Sequence, residues 1–352
     1  MVSEKNQEGK EMGKVRVGVS GYGVIGQRLA DGVAKQEDME LVGVADVAPT
    51  LAVRALYEKG MPYNLYLASD ENRAKFDELG IPVSGTLEDL VKSVDIMLDA
   101  APNGIGAKNK PLYEKHGVKA IFQGGEKNEI ADAFFHGYAN FDNGVGKDYL
   151  KLTSCNTTGL IRAVDCIDKL VGVEKVAITI IRRVADPGDY HRGLTNALQV
   201  DKAPSHQALD LMTIMPHVDA TGILVHTPVT HGHIITVVAT PKKEISKEEM
   251  LAAFKKHPRI RVVRLEDGFL GNASLFRYAR DLGNVRGDMY EIAVWEETVV
   301  HSGKDIMFAI NIPQEAVVIP ENMDAIRAAL NMNGSQEKAL ELTNKYLGMK
   351  AR

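Results

Sequence analysis

The run Gly21-Tyr22-Gly23-Val24-Ile25-Gly26 constrains this chain most, because of what flanks it. Before it stands a short apolar stretch, Val15-Arg16-Val17-Gly18-Val19, that reads as a central strand. After it, Ile25, Leu29 and Val33 recur at i, i+4 and i+8, one face of a helix. A second apolar run, Leu41-Val42-Gly43-Val44, ends at Asp46, about 20 residues beyond the glycines. Strand, glycine turn, helix, strand and terminal acid is the order of a dinucleotide-binding βαβ unit. Gly21 permits the tight turn, Gly23 lets a pyrophosphate approach the backbone, and Gly26 lets the helix pack closely on the strand. Val24 and Ile25, at the helix start, offer unpaired N–H groups and the positive end of the helix dipole. A carboxylate at Asp46 accepts hydrogen bonds from a ribose 2′-hydroxyl and repels a 2′-phosphate, which favours NAD, with NADP as the alternative.

The alternation continues. Helical segments at 51–59, 71–79, 87–92 and 108–116 interleave with strands at 95–99, 119–122 and 149–153. This predicts an α/β fold, a doubly wound Rossmann-type parallel sheet over residues 15–154. After a helix at 158–170 the pattern changes. Strands are expected at 175–183, 222–229, 233–240, 260–264, 289–296 and 305–312, with a helix at 247–256. They predict a second, α+β catalytic domain over 155–320 with a mixed or antiparallel sheet. Residues 321–347 read as a helical tail. Residues 1–14 are charged, lack the apolar core of a signal peptide and are expected to be a disordered extension.

Composition excludes several function classes. Lys and Arg total 42 and Asp and Glu 47, and a net charge of −5 lacks the electrostatic footprint of a dedicated nucleic-acid binder. No apolar run approaches the ~18 residues that span a membrane. Two cysteines, Cys155 and Cys166, in so long a chain fit a reducing, cytoplasmic compartment. Their spacing is not that of metal ligands, and no metal site is expected.

The two cysteines differ in context. Cys155 follows an expected strand and sits among Ser154, Asn156 and Thr157, all residues that favour a helix N-terminus. A thiol there is expected to have a lowered pKa, and the same N–H groups can hold an oxyanion when the thiolate attacks a carbonyl. Cys166 lies within the helical run and reads as a small buried hydrophobe. Oxidation of an aldehyde through a thiol also needs a base, and Thr230-His231-Gly232-His233 lies in a bend between two strands. His231 and His233 are both candidates, at i and i+2. Arg182 and Arg183 close an expected strand, where neighbours face opposite sides, so at most one points directly into a given site. A guanidinium there grips phosphate; a salt bridge to Asp186 or Asp189 is the alternative.

Several runs together resemble the archaeal-type (type II) glyceraldehyde-3-phosphate dehydrogenases. They are the glycine turn, Gln123-Gly124-Gly125-Glu126-Lys127, Ser154-Cys155-Asn156-Thr157-Thr158-Gly159-Leu160 and Arg182-Arg183-x-Ala185-Asp186-Pro187. Glu266-Asp267-Gly268-Phe269, Trp295-Glu296-Glu297 and Gln314-Glu315-x-x-Val318-Ile319-Pro320-Glu321-Asn322 add to them, and the similarity runs from about Val15 to the C-terminus. The resemblance implies a phosphorylating dehydrogenase of glycolysis or gluconeogenesis, usually a homotetramer, whose last helix (321–352) returns to the cofactor domain. In that chemistry the Cys155 thiolate attacks glyceraldehyde 3-phosphate and a histidine takes the hydroxyl proton as hydride leaves for the nicotinamide. Inorganic phosphate then cleaves the thioester to 1,3-bisphosphoglycerate. The resemblance favours His231 as the base. It sets Ser154, Asn156, Arg182, His206 and Gln207 at the substrate, and Gly125, Arg183 and Gln314 at the cofactor. Two departures stand out. Gln207 occupies a position where the family usually has a second histidine. Ala45-Asp46-Val47-Ala48 replaces a Thr-Lys pair found in archaeal members that use NADP or both cofactors.

Two other readings stay open. One is another thiol-dependent semialdehyde or acyl-phosphate reductase, since arginines do not tell carboxylate from phosphate. The other is a non-catalytic Rossmann protein that senses the redox state of NAD.

Overall fold

The apolar run at Val15 forms β1 (Val15–Ser20), buried from Val17 onward. The computed structural model, which describes residues 13–183 and 197–352, continues with α1 (Val24–Ala34), β2 (Met39–Asp46), α2 (Leu51–Glu58) and β3 (Asn64–Leu67). Then come α3 (Arg73–Glu78), α4 (Leu87–Lys92), β4 (Ile96–Asp99), α5 (Ile105–His116) and β5 (Lys119–Phe122). These five strands pair in parallel in the order β3-β2-β1-β4-β5. The order reverses between β1 and β4, and in open α/β sheets ligands bind outside the strand ends at such a point. β3 is too short for its alternation to be read from the sequence.

A first unit ends at Ala131 and a second begins at Asp132. The second contains β6 (Ala133–Phe135), β7 (Tyr149–Leu152), α6 (Cys155–Val171), β8 (Val173–Arg183), β9 (Gln199–Val200), α7 (His206–Ile214), β10 (Asp219–Thr227) and β11 (His233–Pro241). It continues with α8 (Lys247–Lys256), β12 (Ile260–Val263), α9 (Asn272–Asp281), β13 (Ile292–Trp295), β14 (Val300–Ser302), β15 (Asp305–Ile312), α10 (Ile319–Ala329) and α11 (Gln336–Tyr346). The sheet order is β12-β13-β15-β11-β8-β10-β9, with β14 on β15. β8/β10 and β12/β13 are parallel and the other pairs antiparallel. β10 and β11 follow each other in the chain yet are not neighbours, because β8 lies between them. α6 packs on β8, β11 and β15. The residues of β11 that alternate toward the covered side, His233, Ile235, Val237 and Ala239, are buried.

The tail is two helices rather than one. Asn331, Asn333 and Gly334, all at positive φ, break it. α10 packs against the turn 141–144, β7 and α6, segments on both sides of the boundary expected at 154. Its acids anchor a buried ionic network. Glu321 Oε1 accepts from Arg162 Nε and Nη2 at 3.0 and 2.8 Å and from Arg259 Nη1 at 3.1 Å, and Glu321 Oε2 accepts from the Gly137 N–H. Asp324 accepts from Arg259 Nη1 and Nη2 at 2.6 and 3.0 Å. Burial alone would raise the Glu321 carboxyl; His136, Arg259 and Arg162 more than reverse this and hold it well below the usual carboxylate range.

His136, beside this network, is pushed down to about 4 by burial, against the pull of Glu321. An unfolded histidine titrates near 6.5, so between pH 6.5 and 4 the unfolded chain binds a proton the native state does not. Stability is therefore fully present above that window and is lost as pH falls through it, by up to about 3 kcal/mol. His136→Asn should remove this share of the pH dependence, as read from urea midpoints at neutral and acid pH.

Candidate active site

The glycine turn meets the geometric demands of a phosphate loop. Gly21 has φ +85°, and a Cβ there would lie 2.8 Å from the Ala100 carbonyl oxygen. A Cβ on Gly26 would lie 1.8 Å from the Gly21 carbonyl oxygen, whereas one on Gly23 would meet nothing within 4 Å. Gly23 therefore faces open space, as a backbone approached by a pyrophosphate must. α1 begins at Val24 with no side-chain cap and no acid in its first turn, so its N–H groups and dipole stay available to an anion. Asp46 ends β2 and is buried; its Oδ2 accepts from the Tyr22 N–H at 2.9 Å and its Oδ1 from the Ala48 N–H at 3.2 Å. The acid that would read the ribose thus also anchors the glycine turn. Gly125 lies in an exposed turn beside Glu126, whose Oε1 accepts from the N–H groups of Gly104 and Gly106 and so occupies the start of α5.

Cys155 is the first residue of α6. Ser154 is the N-cap and accepts from the Thr157 N–H, and Asn156 is buried with no partner for its Oδ1 among the described residues. The sulfur is walled in by protein although the residue keeps some exposure. Burial pushes the thiol above its ordinary value, and Arg182, Arg183 and the Asn156 N–H pull it down without reversing the shift. Desolvation thus outweighs the neighbouring charges and the helix-terminal N–H, against the lowering expected from the helix start. Cys166 is pushed up to about 12, by burial and Asp165, and suits a structural role.

The imidazole in contact with this sulfur is that of His233, whose Nε2 lies 3.5 Å from Sγ. His231 is exposed and packs its ring edge-on to Phe276, 4.7 Å between centroids. Their i, i+2 spacing would put the two on one side of a regular strand, and Gly232 prevents it. That residue has φ +84° and a missing Cβ that would sit 2.6 Å from the Ile312 carbonyl oxygen, so strand alternation starts only at His233. Burial, with Arg183 and Arg182, drives His233 well below the usual histidine value.

The arginine pair divides its work. Arg183 is buried and its Nη2 donates to Glu315 Oε1 at 2.8 Å, a partner the sequence reading did not identify. Among the described residues Arg182 has no ion-pair partner, and its charge bears on Cys155, His233 and His206. His206 opens α7; burial, Arg182 and Lys151 lower its pKa while Asp210 opposes them. Gln207 is buried, with no partner for its Oε1 among the described residues. Two further charged residues join the cluster. Lys151 is buried in β7 with Nζ 4.3 Å from the Phe134 ring, and Asp210, raised by burial, is hydrogen-bonded to the Thr157 hydroxyl. The signals that could have found them were spacing alone, four residues before Cys155 and four after His206. Asp186, Asp189 and the Gln314 side chain lie outside the described set. Among the described residues no group of three or more His, Cys, Asp or Glu could hold a metal, and no helix is long and apolar enough to cross a membrane.

Comparison with known proteins gives a consistent picture. The family described as "Glyceraldehyde 3-phosphate dehydrogenase, C-terminal domain" matches residues 154–298. A glyceraldehyde-3-phosphate dehydrogenase of Hyperthermus butylicus is 42% identical over 340 residues, 96% of this chain and 98% of that protein. One of Thermococcus kodakarensis is 42% identical over 338 residues, 96% and 99% of the two. Among solved structures, aspartate semialdehyde dehydrogenase II of Vibrio cholerae superposes with a TM-score of 0.58 over 90% of this chain and 97% of that one. At 16% identity, that likeness shows a shared fold.

Proposed function

The chain belongs to the glyceraldehyde-3-phosphate dehydrogenase family, NAD(P)-dependent oxidoreductases, and on that premise we propose that it oxidises glyceraldehyde 3-phosphate with phosphate uptake to 1,3-bisphosphoglycerate. The observation that carries the reading is the Cys155–His233 contact at the start of α6, with Arg182 free of any described acid. Cys155 forms the bond to the aldehyde carbon. Arg182, aided by His206 and Lys151, holds the substrate phosphate, and Ser154, Asn156 and Gln207 line the same end of α6 and α7. The residues of the glycine turn fit a dinucleotide, which when bound supplies the hydride acceptor. Gly23, Val24 and Ile25 would hold its pyrophosphate and Asp46 its ribose. In keeping with the family resemblance, the enzyme works in the cytoplasm as a homotetramer, in glycolysis or gluconeogenesis.

The test is reduction of NAD by the purified protein with glyceraldehyde 3-phosphate, dependent on added phosphate. Turnover with aspartate semialdehyde or N-acetylglutamate semialdehyde in its place would assign the protein to the reductases instead. Asp46 gives a second measurement. Asp46→Ser removes the charge that repels a 2′-phosphate and the acceptor of the Tyr22 N–H. The ratio of kcat/KM for NAD to that for NADP should fall about tenfold or more, with the NAD value itself reduced.

A further inference from the structure

The switch point between β1 and β4 has a second wall besides the glycine turn. The chain leaves β4 through residues 100–104 and enters α5 at Ile105. This loop lies against the turn: a Cβ on Gly21 would sit 2.8 Å from both the Ala100 carbonyl oxygen and the Ala101 nitrogen. Pro102, Asn103 and Gly104 are exposed. Two acids hold the loop from behind. Asp99 is buried at the end of β4, in register with Ser20 of β1. Its Oδ1 accepts from the Ala101 N–H at 3.1 Å, and its Oδ2 from Asn109 Nδ2 at 2.8 Å and the Tyr113 hydroxyl at 2.7 Å. One carboxylate thus ties the start of the loop to α5. Glu126 holds the other end. Gly104, the N-cap of α5, has φ +81° and no side chain to cap with. Glu126 Oε1 reaches it from the turn after β5 and accepts from the N–H groups of Gly104 and Gly106 at 2.8 and 3.0 Å.

We propose that Asp99 and Glu126 are positioning residues for the cofactor: they fix the β4–α5 loop as the seat of the nicotinamide half of the dinucleotide. This rests on reading the glycine turn as a dinucleotide site and adds the groups that prepare its other side. A doubly wound sheet binds a dinucleotide across its switch point, one mononucleotide to each side. β2, with Asp46, flanks β1 on one side and β4 flanks it on the other, so the loop after β4 is what the second half meets. Both acids reach the loop and the helix start through backbone N–H groups alone, those of Ala101, Gly104 and Gly106. They therefore set its path and leave its exposed side to a ligand. A loop already in its bound shape spares the ligand the cost of ordering it. The arrangement persists against its own electrostatics. Burial raises the Asp99 carboxyl more than Asn109, Tyr113 and the Ala101 N–H lower it, and the nearby charge of Glu126 raises it further.

Titration of the full-length protein with NAD and with AMP tests the assignment, because AMP occupies the adenosine half alone. Glu126→Ala should weaken NAD about tenfold and leave AMP within about twofold of the parent. Glu126→Gln keeps an acceptor oxygen for the two N–H groups and should stay within about threefold of the parent for both ligands. Asp99→Asn, which turns an amide NH2 toward one set of its donors, should follow Glu126→Ala, with urea midpoints read alongside to separate weak binding from unfolding. Glu126 is only half-buried, so its variants carry the test even where Asp99→Asn does not fold. Parent-like NAD affinity in Glu126→Ala overturns the proposal and leaves this acid a helix cap. Equal losses of NAD and AMP overturn it too, as does a glutamine variant as weak as the alanine variant. The dehydrogenase reading fails on a different measurement, turnover of glyceraldehyde 3-phosphate by the parent enzyme, so the two ideas fail separately.

Discussion

Cys155→Ser is expected to lower turnover by about 10³-fold or more while the affinity for NAD is unchanged. A serine hydroxyl ionises far above a thiol, and the cluster that would assist it is already a desolvating one. Burial raises even the cysteine, against the combined pull of Arg182 and Arg183. The dinucleotide contacts proposed for Gly23, Val24, Ile25 and Asp46 do not involve the sulfur, so binding and turnover should separate cleanly. Steady-state assays with calorimetric titration of NAD make the comparison. Retained turnover would remove Cys155 from the reaction. Cys166→Ser is the matched control; its sulfur, pushed up to about 12, should be dispensable for the chemistry.

The second large effect concerns stability. Glu321→Gln is expected to lower the free energy of unfolding by about 3–5 kcal/mol. Arg162 and Arg259 are fully buried, and Glu321 Oε1 is the acceptor they share. Removing its charge leaves Arg162, among the described residues, with neutral oxygens alone in hydrogen-bond contact, those of Tyr290 and Val317 and the amide of the new side chain, and Arg259 with Asp324 as its one remaining acid. The penalty is that of a desolvated cation without its counterion, which greatly exceeds the net worth of the pair itself. Adding Arg162→Met to Glu321→Gln should therefore cost less than the sum of the single changes, because the unpaired charge is gone. Urea midpoints of the four proteins measure the coupling; strict additivity would show that Glu321 does not stabilise Arg162.

What the sequence made legible follows from how local each signal is. The glycine turn, Asp46 at the end of β2, and Cys155 at the start of α6 each depend on a handful of adjacent residues, and each takes its expected place in the backbone. Longer helices and strands with clear periodicity, such as α8 and β15, match their expected bounds. β3, β6 and β9 are too short for a period to emerge, and α7 carries a weak pattern. Which of His231 and His233 meets the Cys155 sulfur turns on the φ of one glycine, a property set by the approach of β15 at Ile312 and invisible along the chain. The Arg183–Glu315 pair spans 132 residues, and the network around Glu321 joins residues up to 184 apart. Such partners are chosen by the sheet order, in which β8 separates β10 from β11, and no local spacing encodes them.

That late acid has a consequence for biosynthesis. Arg162 leaves the ribosome 159 residues ahead of Glu321, and Arg259 leaves 65 ahead of Asp324. Until α10 has been made, the helix that begins at Cys155 holds a guanidinium destined for the interior without the acid that enters beside it. A chain released before Ile319 would face the full cost of that desolvation. The second unit must therefore wait until α10 has been translated before its core can close, and products terminated before it should be left to proteases.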